Sequence, residues 1–171
     1  LPLPVVDAGM DTTIFRELSA QLEATGALDY AWTPFDGLDD PFVFDPVASP
    51  LNTIIYYVTG TDAFGCEATD SVTVFIDPFT VLLVPTGFSP NGDGTNDLFG
   101  IVRHLNIKTI IDFKVYNRWG EEVWQGDDFD DRWDGTYDGK PLPLSTYGWY
   151  ITALDFDNNS VVRKGNVTLL R

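Results

Sequence analysis

The stretch from Ser89 to Asp97 carries the side chains most suited to chemistry in this sequence. Asn91, Asp93 and Asp97 supply amide and carboxylate oxygens, and Thr95 adds a main-chain carbonyl between them. Calcium takes about six to eight oxygen ligands of these kinds, and the two intervening glycines let a short loop curl around one centre. The spacing therefore predicts a calcium site formed by these four residues, and calcium is the one cofactor that the sequence suggests.

The same loop has an alternative interpretation as an Asx-rich turn. In such a turn the Asn and Asp side chains accept hydrogen bonds from the neighbouring backbone instead of binding a metal. The loop holds only two carboxylates and lacks the bidentate glutamate that completes an EF-hand. From the sequence alone, both interpretations stay open.

A second group of carboxylates lies further along the chain. It could form a second cation site, but a run of like charges is more typical of a solvated loop, which is the interpretation we favour. The triplet Trp133-Asp134-Gly135 predicts an indole buried in the core beside an Asp-Gly turn. The carboxylates of this group are Asp127, Asp128, Asp130, Asp131 and Asp134.

Catalytic groups are scarce, because the chain has one histidine and one cysteine. A disulfide framework and a thiolate zinc site are thereby excluded. His104 has no recognisable nucleophile motif to serve, and Cys66 follows a glycine at a turn without a base close in sequence. We therefore predict a surface histidine, a buried cysteine and no enzymatic activity.

Aromatic side chains offer a different function, because flat rings can hold sugars. Trp119, Trp124, Trp149 and Tyr150 are available, although most of them occupy alternating strand positions where a core is expected. The sequence therefore keeps one alternative open, a calcium-stabilised carbohydrate-binding or adhesion module of a secreted enzyme.

The charge of the chain limits its partners and divides it into two parts. The 171 residues carry a net charge of −16 and a pI near 4.1, a field that repels phosphate backbones and makes nucleic-acid binding untenable. Residues 1–79 hold 13 acids and one base, whereas residues 80–171 hold 13 acids and nine bases. With Pro78 at the junction, we predict domains at 1–78 and 79–171. The Leu1-Pro2-Leu3-Pro4 start is typical of a linker within a longer chain.

Alternating apolar residues predict strands throughout. In the first part, Leu18 to Ala24, Ile54 to Val58 and Val72 to Ile76 each place apolar residues at every second position. In the second part, Ile111 to Val115 do the same, and Tyr147 to Leu154 is predicted as another strand. No amphipathic helix separates them, and no run of 18 apolar residues could span a bilayer. The pattern predicts an all-β fold of two antiparallel β-sandwiches in series.

The second part resembles a known family, the gliding motility-associated C-terminal domain, which is the type B sorting domain of the Bacteroidetes type IX secretion system. The chain departs from the family pattern at Ser145, where a glycine is usual. The likeness covers about residues 81–171 and is carried, in the family's order, by residues 88–97, by 115–120 with 123–124, by 133–135 with 139–143 and 146–147, and by 164–171.

The first part is similar to the PKD-type immunoglobulin-like repeats that often precede this domain. The chain has Glu17 where the family often has glycine, and it lacks the second cysteine that other members pair with a Gly-Cys sequence. The likeness covers about residues 5–77 and rests on Asp7-Ala8-Gly9 with Asp11, Tyr30 and Trp32 with Pro34, Gly37-Leu38, Asp62 with Gly65-Cys66, and Asp70 to Val74.

These resemblances imply two immunoglobulin-like domains and a targeting function instead of a catalytic one. The second would be the C-terminal secretion signal and cell-surface targeting module of a large secreted surface protein or adhesin, and the first a spacer. The implied partners are the type IX translocon and an outer-membrane protein of the PorP/SprF kind. The protein would be secreted to the cell surface, on the outer membrane exterior, and we expect a monomer.

Two segments are candidates for contact with that machinery. Exposed turns often contain the residues that bind a partner. The sequence predicts such a turn at Asn117, Arg118, Trp119 and Gly120. The second candidate is the terminal segment, residues 163–171. It contains no acids and three bases, Arg163, Lys164 and Arg171.

Overall fold

The computed structural model describes residues 3–170, which form two compact units divided between Phe79 and Thr80. The described residues contain β-strands and no helix, and the prediction of an all-β fold is confirmed. Consequently they contain no helix long and apolar enough to cross a membrane. Leu1 and Pro2 of the predicted linker, and Arg171 of the predicted contact segment, lie outside the described residues.

The first unit is built on a four-stranded sheet with a small pair of strands beside it. The sheet has the order β1-β6-β5-β3, in which β1 runs parallel to β6 and the other neighbours are antiparallel, and β2 pairs with β4. The strands are β1 (Thr12–Ile14), β2 (Ala20–Gln21), β3 (Asp29–Thr33), β4 (Val47–Ala48), β5 (Ile54–Thr61) and β6 (Glu67–Ile76).

The core of the first unit follows the alternation in the sequence. Tyr56 and Val58 on β5 and Val72 and Val74 on β6 are buried, while their neighbours along each strand face outwards. Trp32 on β3 is fully buried, and its indole Nε1 donates a hydrogen bond to the Val43 carbonyl at 2.9 Å. These side chains hold the sheet against the segment that contains β2 and β4.

The predicted strand from Leu18 to Ala24 is largely wrong. Only Ala20–Gln21 pairs as a strand, and Leu18 is 46% exposed. Ala20, Leu22 and Ala24 are buried as the alternation requires. The Leu22 and Ala24 amides donate to carbonyls of residues 46 and 44 outside a regular ladder, so the inward face is kept without a continuous strand.

Aspartates close the turns of the first unit. Asp62 Oδ1 accepts hydrogen bonds from the Phe64 and Cys66 amides, at 2.8 and 2.9 Å. Asp70 Oδ2 accepts one from the Ala8 amide at 2.8 Å, and this bond lowers the pKa of Asp70 together with a bond from the Ser71 amide. These acidic residues therefore serve as backbone acceptors, Asp62 within its own turn and Asp70 for a residue distant in sequence.

The second unit is built on a five-stranded sheet with the order β12-β11-β16-β17-β8. Its neighbours are antiparallel except for the edge strand β8, which runs parallel to β17. Three two-stranded pairs, β7 with β10, β9 with β13 and β14 with β15, complete the unit. The strands are β7 (Val81–Leu83), β8 (Gly87–Phe88), β9 (Phe99–Gly100), β10 (Arg103–Leu105), β11 (Ile107–Tyr116), β12 (Glu122–Gly126), β13 (Arg132–Trp133), β14 (Thr136–Tyr137), β15 (Lys140–Pro141), β16 (Ser145–Asp155) and β17 (Ser160–Leu169).

An aromatic cluster forms the centre of this second core. Trp133 is fully buried, and its ring lies 5.2 Å from Phe88, 6.4 Å from Phe99 and 5.1 Å from Tyr147, measured between centroids. The Trp133 Nε1 donates to the Thr136 carbonyl at 2.9 Å. Because the polar atom of the indole is hydrogen-bonded, the cost of desolvating it is offset and the ring can be buried, as the sequence predicts for this residue.

Candidate functional site

The Ser89–Asp97 loop is closed by hydrogen bonds from its own backbone to its side chains. Asp97 accepts from the amides of Gly92, Gly94 and Asn91 at 2.7, 2.8 and 2.9 Å. Asn91 Oδ1 accepts from the Asp93 amide at 3.0 Å, and Asp93 Oδ1 accepts from the Thr95 amide at 2.8 Å. The loop therefore has the geometry of the Asx-rich turn.

The three amides also shift the acidity of Asp97. They favour the charged carboxylate, the Gly92 amide most strongly, and so lower the pKa of Asp97 from its ordinary value of 3.8. The stability that this group contributes is present at neutral pH, and it is lost as the pH falls below 3.8 through the lower folded-state pKa.

We expect Asp97→Asn to lower the melting temperature at neutral pH, because one amide oxygen cannot accept from all three backbone donors. The difference from the unsubstituted chain should shrink as the pH falls below 3.8, where the carboxylate itself becomes protonated. Thermal unfolding at several pH values measures this. Asp127→Asn, a change at an exposed carboxylate of the same unit, is the control. A pH-independent difference would contradict the assignment.

Calcium binding by Asn91, Asp93, Thr95 and Asp97 stays a prediction. Carboxylate and amide oxygens have two lone pairs each, so an oxygen that accepts a backbone hydrogen bond can still bind a cation. The prediction requires that excess calcium raise the melting temperature of the full chain above its value in chelator, by mass action. Equal melting temperatures would leave the loop as a self-closed turn.

The carboxylates from Asp127 to Asp134 make similar local contacts. Asp131 Oδ2 accepts from the Asp127 and Asp128 amides at 2.8 and 3.0 Å, and Asp128 Oδ1 accepts from the Asp130 amide at 2.9 Å. Within residues 3–170, no group of three or more His, Cys, Asp or Glu side chains is arranged to hold a metal ion. The run therefore shapes a loop through backbone contacts.

The Asn117–Gly120 turn presents an exposed indole. Asn117 Oδ1 accepts from the amides of Trp119 and Glu121 at 2.9 and 3.0 Å, and Gly120 has a φ of 81° that favours glycine. The Trp119 side chain is 83% exposed, and the Arg118 guanidinium lies 5.6 Å from the centre of its ring. A fixed turn thus holds a large aromatic ring in solvent.

A shallow cleft of about 310 Å³ adjoins this turn. Leu142, Pro143 and Tyr147 line its other side. Tyr147 is largely buried, and its hydroxyl donates to the Pro143 carbonyl at 2.8 Å. The turn and cleft together form a candidate contact surface, because an exposed ring lies beside a depression whose lining is partly apolar.

The other aromatic residues considered for sugar binding do not form a common platform. Trp124 and Trp149 are partly buried and pack against the core, and Tyr150 lies in the outward series of β16. The Trp149 ring covers Gly165 on the neighbouring strand, where an added Cβ would lie 2.7 Å from it. Of the four rings, Trp119 is the one that is mainly in solvent.

Neither His104 nor Cys66 lies where the sequence suggested. His104 was predicted at the surface, yet it is half-buried because its ring stacks on Phe129 at 3.9 Å. Cys66 was predicted to be buried, but it is a free, half-exposed thiol after a turn.

The predicted contact residues Arg163 and Lys164 lie in the middle of β17, well away in sequence from the Trp119 turn. Arg163 donates from Nη1 to the Val162 carbonyl at 3.0 Å and from Nη2 to Thr80 Oγ1 at 3.3 Å. Lys164 is exposed and pairs in register with Tyr150 of β16. The structure therefore divides the predicted contact residues between a turn and a strand.

The most distinctive motif residues of the second unit serve its own structure. Gly135 has a φ of 77°, and a Cβ there would meet Leu169 at 3.0 Å and Pro90 at 3.2 Å. Asp134 Oδ1 accepts from the Thr136 amide and hydroxyl at 2.9 and 2.7 Å. With Trp133 in the core, the whole triplet is structural. These features define a β module whose sequence pattern preserves a shape.

Comparison with protein families assigns this module. Residues 82–169, just over half of the chain, match the CHU_C type IX secretion signal domain. The chain belongs to this family, and the match confirms the resemblance carried by the motifs of the second unit. Membership implies recognition by the type IX secretion machinery and export of the protein that carries the domain. No curated protein matches the chain.

Solved structures resemble the chain only weakly. Cadherin domains 1–4 of protocadherin gamma B7 share 12% identity at a TM-score of 0.37, over 97% of this chain and 49% of that chain. The human desmocollin-1 ectodomain shares 9% at 0.36, over 97% and 36%. A tetra-tandem repeat from the extending region of a large adhesion protein shares 14% at 0.36, over 95% and 50%. The chain spans about half the length of the protocadherin chain, and likenesses this weak do not bear on function.

Proposed function

We propose that the second unit is a folded export signal for a large surface protein or adhesin, and that the first unit is an immunoglobulin-like spacer. The observation that carries this proposal is the agreement between the family match at 82–169 and a compact unit that begins at Thr80. Because the motif residues maintain the core and the turns of that unit, the type IX secretion machinery in this proposal recognises a folded surface.

Recognition of a folded signal needs a rigid patch that differs from the rest of the surface. The Asn117–Gly120 turn supports this role, since aromatic and arginine side chains dominate the binding energy of protein interfaces. Arg118 and Trp119 stand together on a turn fixed by Asn117 and Gly120. Their partner in this proposal is an outer-membrane protein of the PorP/SprF kind, and the exported protein is retained at the cell surface.

A fluorescent reporter fused to residues 80–171 tests the proposal in a host that has a type IX system. We expect the reporter to reach the cell surface, and a reporter fused to residues 3–79 to stay inside. Retention of the first fusion inside the cell would contradict the proposal. Retention inside the cell together with binding on a glycan array would instead support the carbohydrate-binding alternative.

The role of the turn is tested in the same fusion by Trp119→Ala. We expect the exported fraction to fall about tenfold, as for loss of an aromatic hot spot, with an unchanged melting temperature because the ring is exposed. Tyr137→Ala, which removes a partly exposed ring from the hairpin of β14 and β15, is the matched control. Equal export by the two variants would remove the turn from the contact surface.

A further inference from the structure

The long strand β17 is paired along one edge and open along most of the other. All ten of its residues pair with β16, from Ser160 opposite Leu154 to Leu169 opposite Ser145. On its second edge β8 pairs only with Thr168 and Leu169. Within the described part of the second unit, residues 160–167 thus have no partner strand on that side.

The direction of the backbone groups follows from the hydrogen bonds at the end of the strand. The Thr168 amide donates to the Thr86 carbonyl and the Leu170 amide to the Phe88 carbonyl, both at 2.9 Å and both away from β16. The register with β16 has no bulge, so successive backbone amides of β17 point alternately towards β16 and away from it. The amides of Val162, Lys164 and Asn166 therefore also face the open edge.

The side chains at this edge give it a definite charge. Residues 160–167 contain Arg163 and Lys164 and no acid, in a chain with a net charge of −16. Arg163 already covers the Val162 carbonyl, which leaves the backbone groups around Lys164 and Asn166 as the centre of the open stretch. The nearest acid along the chain on the N-terminal side is Asp157, in the turn before β17.

We propose that the open edge of β17, residues 160–167, binds an extended acidic segment of a partner protein as an added strand. Strand addition uses main-chain hydrogen bonds for affinity and side-chain contacts for specificity, and here Lys164 and Arg163 select acidic residues in the added strand. A second copy of this chain is disfavoured as the occupant, because edge-to-edge pairing would set the same bases against each other. This inference rests on the proposed function and assigns part of its contact surface.

The edge also has a simpler interpretation. Lysine on an edge strand can act only to prevent unwanted pairing with other chains. A docking edge and a merely protected edge differ in one respect, because only the docking edge loses a function when its charge is reversed or an outward amide is removed.

Two single substitutions in the full chain, fused to a reporter, test the proposal in the type IX host. Lys164→Glu reverses the charge at the centre of the edge. Asn166→Pro removes one outward amide and spares the ladder with β16, a position where an edge strand tolerates proline. Lys140→Glu makes the same charge change on the exposed hairpin of β14 and β15 and is the matched control.

We expect both edge variants to reduce the exported fraction about tenfold relative to Lys140→Glu, with an unchanged melting temperature. Export equal to the control would overturn the proposal that this edge binds a partner. The lysine would then serve only to prevent unwanted strand pairing. Failure of the unsubstituted fusion to leave the cell would instead overturn the proposed function, so the two failures are distinguishable.

A second measurement on the purified full chain does not depend on export. The probe is a ten-residue peptide of alternating glutamate and valine, and the control peptide has lysine in place of glutamate. We expect the acidic peptide alone to slow hydrogen exchange at the amides of Val162, Lys164 and Asn166. Unchanged exchange at these amides, or equal slowing by both peptides, would overturn the proposal.

Discussion

Trp133→Ala is expected to destabilise the second unit by about 3–5 kcal/mol, the range for removal of a fully buried aromatic side chain. The indole packs against Phe88, Phe99 and Tyr147, and its Nε1 satisfies the Thr136 carbonyl. Alanine would leave a large cavity and free this carbonyl from its partner. In a unit of this size the melting temperature should fall by more than about 10 °C.

Calorimetry of the full chain measures this effect, and Trp119→Ala is the matched control. It removes the same side chain from an 83% exposed position, so it should leave the transition of the second unit in place. A similar melting temperature for the two variants would show that Trp133 is not the centre of this core.

Trp32→Ala should have an effect of the same size on the first unit. This indole is also fully buried, and its Nε1 donates to the Val43 carbonyl, so the variant loses both packing and a hydrogen bond. We expect a loss of about 3–5 kcal/mol from the first unit. Because Trp32 belongs to the core cluster of that unit alone, the transition of the second unit should stay unchanged.

The two tryptophan variants therefore form a pair, each the control for the other. Calorimetry of Trp133→Ala should show only the transition of the second unit at a lower temperature. Calorimetry of Trp32→Ala should show only the transition of the first unit at a lower temperature. A single transition that moves equally in both variants would contradict a separate core in each unit.

Much of the fold could be predicted because its cores follow a period of two. Tyr56, Val58, Val72 and Val74 alternate with outward residues, and burial of alternate positions needs no information beyond the sequence. The buried role of Trp133 was also predictable, because the Asp-Gly pair beside it indicates a turn that ends a short strand.

Leu18 shows where the alternation fails. It continues the apolar series of Ala20, Leu22 and Ala24, yet it is exposed because the chain turns before it and pairs as a strand only at 20–21. Local periodicity describes which side of a segment faces inwards, but it does not show where the partner strand ends. That information lies in distant residues.

The loop at Asn91–Asp97 shows a second limit. Its residue types are those of calcium ligands and equally those of Asx turns, and the two differ only in where each oxygen points. The structure directs the Asp97 oxygens at backbone amides. No spacing in the sequence distinguishes a carboxylate that accepts from amides from one that also binds a cation.

The open edge of β17 could not be predicted from residue types at all. Its defining groups are backbone amides, which every residue except proline carries. The edge is open because the parallel strand β8 begins only at Gly87, opposite Thr168, while the preceding Val81–Leu83 pair with β10. The charge of Arg163 and Lys164 was visible in the sequence, but their position beside unpaired backbone was not.

The central claim is that the fold of the second unit carries the export information. Its most direct test is the exported fraction of a reporter fused to the full chain, compared between Trp133→Ala and Trp32→Ala in a type IX host. The claim predicts that Trp133→Ala loses export while Trp32→Ala keeps it. Equal export by the two variants, or loss with Trp32→Ala alone, would contradict it.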